Sequence, residues 1–347
     1  MISFMLNIIL AAIVFPFLPF FMYSQVIQDA KTNGNKVLGE AKNKSEISSE
    51  ICAMDNPKSE NYNLFPLDYP SDKGFTPIRK PDYYDIKIWS GSSVAIDVDS
   101  GTILEYFNGR KRTQIASLTK IMTAILVMEN VKNLEEKTTI TDEALNVAGT
   151  VVGCPTSVFC NSARMRAGEK ITVKNLLKAM LLNSANDAAT ALAIHTGGTA
   201  TEFVSMMNNK AKDLGLKDTN FCTPSGLEID GQEDRCYSSA YDIARIASYS
   251  LKYELIWDIM RMEEYQFSSV DGKYTHELKN TDLLLSQMPN CLGGKTGFTP
   301  MAGRSLLLAA ADPTKQHKII AVILNDDNRW QDMRELVDWV FANYEWR

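Results

Sequence analysis

Ser117 stands three positions before Lys120, Ser184 stands two before Asn186, and Lys295, Thr296 and Gly297 follow one another without a break. Together these residues could carry out acyl transfer through a serine ester. A serine hydroxyl is a poor nucleophile until a base takes its proton. A lysine three positions on along a helix shares the serine's face, within hydrogen-bond reach. For that task the amine must be uncharged near neutral pH, a state favoured by burial or by a nearby cation such as Lys295. The two lysines are therefore expected to be coupled. Ser117 is the only serine with a lysine three positions on, and the chain has a single K-T-G. S-x-N occurs twice, and only Ser184-Ala185-Asn186 lies between the other two signals in apolar surroundings. Taken alone, Ser184 would cap a helix beginning near Asp187, and Lys295 would be a solvated surface charge. Gly293, Gly294 and Gly297 imply backbone that another segment approaches closely.

The elements that must hold these groups are legible in outline. Residues 93–98 alternate towards a turn at Asp99-Ser100-Gly101, and residues 102–107 return, which predicts a β-hairpin. Residues 305–311 and 318–324 read as apolar strands joined at Asp312-Pro313-Thr314, with 292–299 as their neighbour. Between these β-rich ends, apolar spacing predicts helices over 118–129, 173–183 and 187–195, and a last amphipathic helix over 330–344. The expectation is an α+β domain in which an antiparallel sheet from both chain ends encloses a mostly helical insert.

The order S-x-x-K, S-x-N, K-T-G resembles the motif set of the penicillin-binding and serine β-lactamase superfamily. Within it, the chain is most similar to the low-molecular-mass D-alanyl-D-alanine carboxypeptidases of the S11 peptidase family. The likeness runs from Trp89 to the C-terminus and takes in residues 116–124, 184–189, 237–244 and 294–299. It implies a β-lactamase/transpeptidase-like fold and removal of the terminal D-alanine from peptidoglycan stem peptides, with β-lactam antibiotics acylating the same serine. On this reading Ser117 is the nucleophile, Lys120 its base, and Ser184 the relay returning a proton to the leaving amine. Asn186 binds a substrate amide or holds Lys120. Lys295 and Thr296 bind the terminal carboxylate, and the N–H groups of Ser117 and Phe298, beyond Gly297, hold the oxyanion. Asn280 lies in a segment resembling one near the family's cleft and is expected to contact substrate.

One departure is Thr223-Pro224-Ser225-Gly226-Leu227, where the family often places a histidine before Gly-Leu. A class A β-lactamase would carry an E-x-x-x-N segment after the second motif. Glu202, Glu228 and Glu233 have no asparagine at that spacing. A D,D-endopeptidase or transpeptidase on the same fold, or a non-catalytic penicillin-binding sensor, remains as the alternative.

With 347 residues, 45% hydrophobic and 22% charged, the composition is that of an ordinary soluble enzyme. A net charge of -6 gives no basic footprint for nucleic acid. Residues 8–23 are uninterrupted apolar sequence, so residues 1–24 form a secretory signal or a membrane anchor, and an uncleaved anchor on an exported domain is the expectation. Residues 25–84, rich in Lys, Glu, Asn and Ser, fit a flexible stalk, with a short docking segment near 64–69. The catalytic domain would then occupy 85–347, in the bacterial cell envelope. Of six cysteines, Cys154 with Cys160 and Cys222 with Cys236 bracket short loops and suit local disulfides. Reduced thiols are the other reading, and Cys52 and Cys291 have no evident partners. No metal or organic cofactor is called for, since His195, His276 and His317 lack ligand spacing.

Overall fold

In the computed structural model, which describes residues 75–155 and 159–347, the chain opens with β1 (Pro77–Arg79), β2 (Ser92–Asp97) and β3 (Ile103–Phe107). A 3-10 turn (Ala116–Thr119) leads into α1 (Lys120–Asn130), followed by β4 (Lys137–Thr139), α2 (Asp142–Leu145) and β5 (Lys170–Thr172). The helical stretch continues as α3 (Val173–Leu182), α4 (Asn186–Gly197), α5 (Ala200–Asp213), α6 (Ala240–Ser250) and α7 (Glu254–Met260). A hairpin of β6 (Glu264–Ser268) and β7 (Thr275–Lys279) precedes β8 (Cys291–Thr299), β9 (Gly303–Ala311) and β10 (Lys318–Leu324). The chain closes on α8 (Arg329–Asn343) and β11 (Tyr344–Trp346).

The main sheet has the order β3-β2-β10-β9-β8 and is antiparallel throughout. It is thus assembled from both chain ends around a helical insert, an α+β arrangement. Its central strands β2, β10 and β9 are buried along almost their whole length because both faces are covered, and successive side chains point to opposite faces. On one face Leu306, Leu308, Ile319, Ala321 and Ile323 meet Met333, Leu336, Val337 and Val340 of α8. On the other, Leu307, Ala309, Ile320 and Val322 join Ile121, Ile125, Leu176 and Met180 in the helical core. Local chemistry starts the helices where it should. Thr172 accepts a hydrogen bond from the Asn175 N–H at the head of α3, and Ser239 accepts from Asp242 at the head of α6.

The folded unit begins earlier than residue 85. β1 pairs antiparallel with β11, matching Pro77 to Trp346, and the Trp339 indole donates to the Tyr84 carbonyl at 2.6 Å. Residues 77–84, expected in the stalk, are therefore bound to the domain largely by backbone groups, which leave no apolar periodicity to detect. The apolar run 8–23, stalk residues 25–74 with the segment 64–69, and Cys52 lie outside the described residues. Among the described residues no helix is long and apolar enough to cross a membrane. Cys154–Cys160 and Cys222–Cys236 are disulfide-bonded, and Cys291 is a buried free thiol.

Candidate active site

Ser117 lies not on the α-helix but in the 3-10 turn just before it, and α1 starts at Lys120. In a 3-10 turn side chains three apart are eclipsed, which places the amine directly over the hydroxyl. Lys120 Nζ sits 2.8 Å from Ser117 Oγ, 2.8 Å from Asn186 Oδ1 and 2.8 Å from the Ser225 carbonyl oxygen. An uncharged amine has two N–H groups and one lone pair. The two carbonyl oxygens accept both protons, so the lone pair is directed at the serine hydroxyl.

Lys120 has no solvent exposure, and its amine is held well below the ordinary lysine range, first by burial and then by the charge of Lys295. Asp187 opposes this shift. That carboxylate is itself buried, accepting from Val152 N at 3.0 Å and Ala188 N at 2.8 Å, and burial raises its pKa to about 6. Asn186 is fixed from its other end, its amide donating to the Ala148 carbonyl at 2.7 Å.

The opposite wall is β8, the edge of the sheet. Lys295 Nζ donates to Ser184 Oγ at 2.9 Å and to the Thr296 carbonyl at 3.0 Å. Burial brings its pKa down to about 7, with Asp282 opposing and Arg329 reinforcing the shift. Ser184 thus bridges the two walls by contacting Lys295, and it does not cap α4, whose N-cap is Ala185 with no side-chain bond. Ser184 is held at φ 58° and Ala116 at φ 47°, conformations that non-glycine residues adopt at a cost of about 1–3 kcal/mol each. Ala116 directly precedes Ser117, and Ser184 is the residue that contacts Lys295.

Glycine is required where the walls meet. A Cβ on Gly297 would lie 2.9 Å from the Ile115 carbonyl oxygen, just ahead of the nucleophile turn. A Cβ on Gly226 would lie 1.9 Å from the Ala116 oxygen. Close backbone approach, expected around K-T-G, therefore holds for the third motif and extends to the 223–227 segment. There the Ser225 side chain is not what matters, since its main-chain oxygen meets Lys120.

Ser117, Lys120, Ser184, Asn186, Lys295 and Thr296 gather at one cleft as expected, and Phe298 turns its ring outward, 58% exposed, from the edge strand. Asn280 does not join them as a substrate contact. Its amide donates to the Met260 and Met262 carbonyls at 2.9 and 2.8 Å, and its oxygen accepts from Asp282 N at 2.8 Å. With both ends committed to backbone, it positions the following loop. That loop brings Thr281 Oγ1 to 2.6 Å from Thr296 Oγ1 and Asp282 next to Gly294, where a Cβ would lie 2.4 Å from Asp282 Oδ2. Three groups went unseen in the sequence: the Ser225 oxygen, Asp282, and Arg329, which donates to the Gly297 carbonyl at 3.0 Å. A main-chain oxygen carries no side-chain signature, and a lone acid or arginine far from the motifs looks like a surface charge.

The sequence pattern of the family described as D-alanyl-D-alanine carboxypeptidase, peptidase S11, matches residues 78–328. The chain belongs to the S11 peptidase family. Among S11 relatives, the D-alanyl-D-alanine carboxypeptidase DacF of Bacillus subtilis is 35% identical over 262 residues, 73% of this chain and 62% of the relative. The matched region thus spans a little under two thirds of that S11 relative's length. In three dimensions the chain is similar to the D-alanyl-D-alanine carboxypeptidase of Mycobacterium tuberculosis, with TM-score 0.66 and 26% identity over 76% of this chain and 96% of that one. It is also similar to the Streptomyces K15 DD-transpeptidase, with TM-score 0.65 and 28% identity over 75% of this chain and 99% of that one.

Proposed function

We propose that this S11 chain is a serine D,D-carboxypeptidase that removes the terminal D-alanine from peptidoglycan stem peptides and is acylated by penicillins. The observation that carries the proposal is the buried Lys120 amine, 2.8 Å from each of Ser117 Oγ, Asn186 Oδ1 and the Ser225 carbonyl oxygen, with burial and Lys295 holding its pKa well below the ordinary lysine range. Ser117 attacks the amide carbonyl of the penultimate residue and passes its proton to Lys120. The oxyanion is held by the N–H groups of Ser117 and Phe298. The leaving D-alanine takes a proton through Ser184, and its carboxylate is held by Lys295 and Thr296. Water, activated by the same amine, then hydrolyses the acyl-serine.

The domain is assigned to the outside of a bacterial membrane, tethered through the apolar run 8–23. Two disulfides in the described residues support an oxidising compartment. Mass spectrometry of products from purified muropeptides is the test. Loss of one alanine supports the proposal; loss or gain of a cross-link points to endopeptidase or transpeptidase action. Ser117→Ala should lower D-alanine release by roughly 10⁴-fold or more and end labelling by fluorescent penicillin, and persistent labelling would reject the nucleophile.

A further inference from the structure

Beyond the nucleophile turn, the segment 220–237 borders a shallow cleft lined by Thr119, Phe221, Gly226, Leu227, Glu228 and Tyr237 among others. Glu228 is half-buried at this cleft, and one of its carboxylate oxygens accepts a hydrogen bond from the Thr299 hydroxyl, the last residue of β8. Thr299 Oγ1 is set in turn by the Ala302 N–H, which donates to it at 3.0 Å. Among the described residues no lysine or arginine forms an ion pair with Glu228. The carboxylate is thus fixed in place by one oxygen, and among the described residues its other oxygen has no hydrogen-bond or ion-pair partner.

Its position along β8 takes a chemical meaning from the carboxypeptidase reading, on which this inference rests. If the terminal carboxylate lies at Lys295 and Thr296 and the scissile carbonyl at Phe298 N, the donor peptide runs along the free edge of β8. Its earlier residues then lie towards Thr299, each strand position advancing about 3.3 Å. The residue preceding the two D-alanines therefore comes beside Glu228. The geometry points to Glu228 as a specificity determinant that selects donor peptides carrying a primary amine on the side chain of that residue. A fixed carboxylate and an ammonium at the mouth of a cleft form a charge-assisted hydrogen bond, worth about tenfold in kcat/KM. Thr299 is the positioning residue that holds the acid there.

The test compares acetyl-Lys-D-Ala-D-Ala with a free ε-amine against the same peptide with that amine acetylated. The wild type should favour the free amine by about tenfold in kcat/KM, a preference that shrinks as salt is raised. In Glu228→Gln, which keeps an acceptor for Thr299, the ratio should fall to about one. Equal use of both peptides by the wild type, or a preference that survives Glu228→Gln, overturns the inference. Penicillin labelling of Ser117 is read on the same samples. Labelling and cleavage without discrimination sink the inference and leave the carboxypeptidase reading standing, whereas cleavage of neither peptide sinks both. If Glu228→Gln fails to fold, the salt titration of the wild type decides alone, and a salt-independent ratio overturns the inference.

Discussion

Lys120 and Lys295 stand on opposite walls of one cleft, both almost wholly shielded from water, yet the molecule treats them differently. On the helical wall, Lys120 is met by two carbonyl oxygens and a hydroxyl, and the cation across the cleft repels its proton. On the sheet wall, Lys295 has the buried acid Asp282 to offset part of the burial penalty, so its pKa stops at about 7. Burial alone would push both amines down. Each amine has a buried acid opposing the shift, Asp187 for Lys120 and Asp282 for Lys295, and it is the positive charge of Lys295 that adds to burial at Lys120. On the proposed mechanism this balance makes Lys120 the base and Lys295 the carboxylate binder. Once Lys120 is neutral it no longer repels Lys295, so the division of labour reinforces itself.

Several variants would break or sharpen this contrast. Lys120→Ala removes the base, and acylation by penicillin or peptide should slow by about 10³-fold while the protein stays folded. Stopped-flow labelling checks this, and an unchanged acylation rate would reject the assignment. Gly226→Ala forces a Cβ into the Ala116 carbonyl at a position with φ of 84°, and should cost about 3 kcal/mol or more. Because the collision lies between the nucleophile turn and the segment bearing the Ser225 oxygen, thermal denaturation and acylation should both show it.

The pair Cys222→Ala and Cys236→Ala opens the loop that carries Ser225. Stability should fall by about 3 kcal/mol in a denaturant titration, against about 2 kcal/mol for opening the shorter Cys154–Cys160 loop. Lys295→Ala should act on the other wall, raising KM for a carboxylate-terminated peptide by about 10- to 100-fold with a smaller change in kcat. If kcat falls instead, Lys295 serves the chemistry and not the carboxylate.

The smallest effect is on the pH profile. kcat/KM should decline as pH rises through about 7, where free Lys295 loses its proton. Asp282 raises the pKa of Lys295, so Asp282→Asn lowers it further and moves that limb to more acid pH. A limb that stays in place would remove Asp282 from the account.

Much of the scaffold could be read because its strands and helices are periodic. The strand expected at 318–324 is β10 itself, and the helix expected at 187–195 is the body of α4. Edges were less legible. The helix expected from residue 118 begins at Lys120, since the preceding turn, which carries Ser117, is 3-10. β1 could not be read at all: it is three residues long with one buried, and its partner lies at the far end of the chain. In the site, Ser117, Lys120 and Lys295 were legible because the proposed chemistry resides in their side-chain types. Asn280 misled because sequence shows an amide but not where its two ends are already spent.

The sequence determined the reacting groups and the periodic elements that carry them, because residue type and spacing along one strand or helix are local properties. Folding decided how far the pKa of each amine is lowered. That depends on how much water is excluded and which charges and carbonyl oxygens arrive from distant segments, here Ser225, Asp282 and Arg329. Those distances exist only once the sheet edge closes against the nucleophile turn.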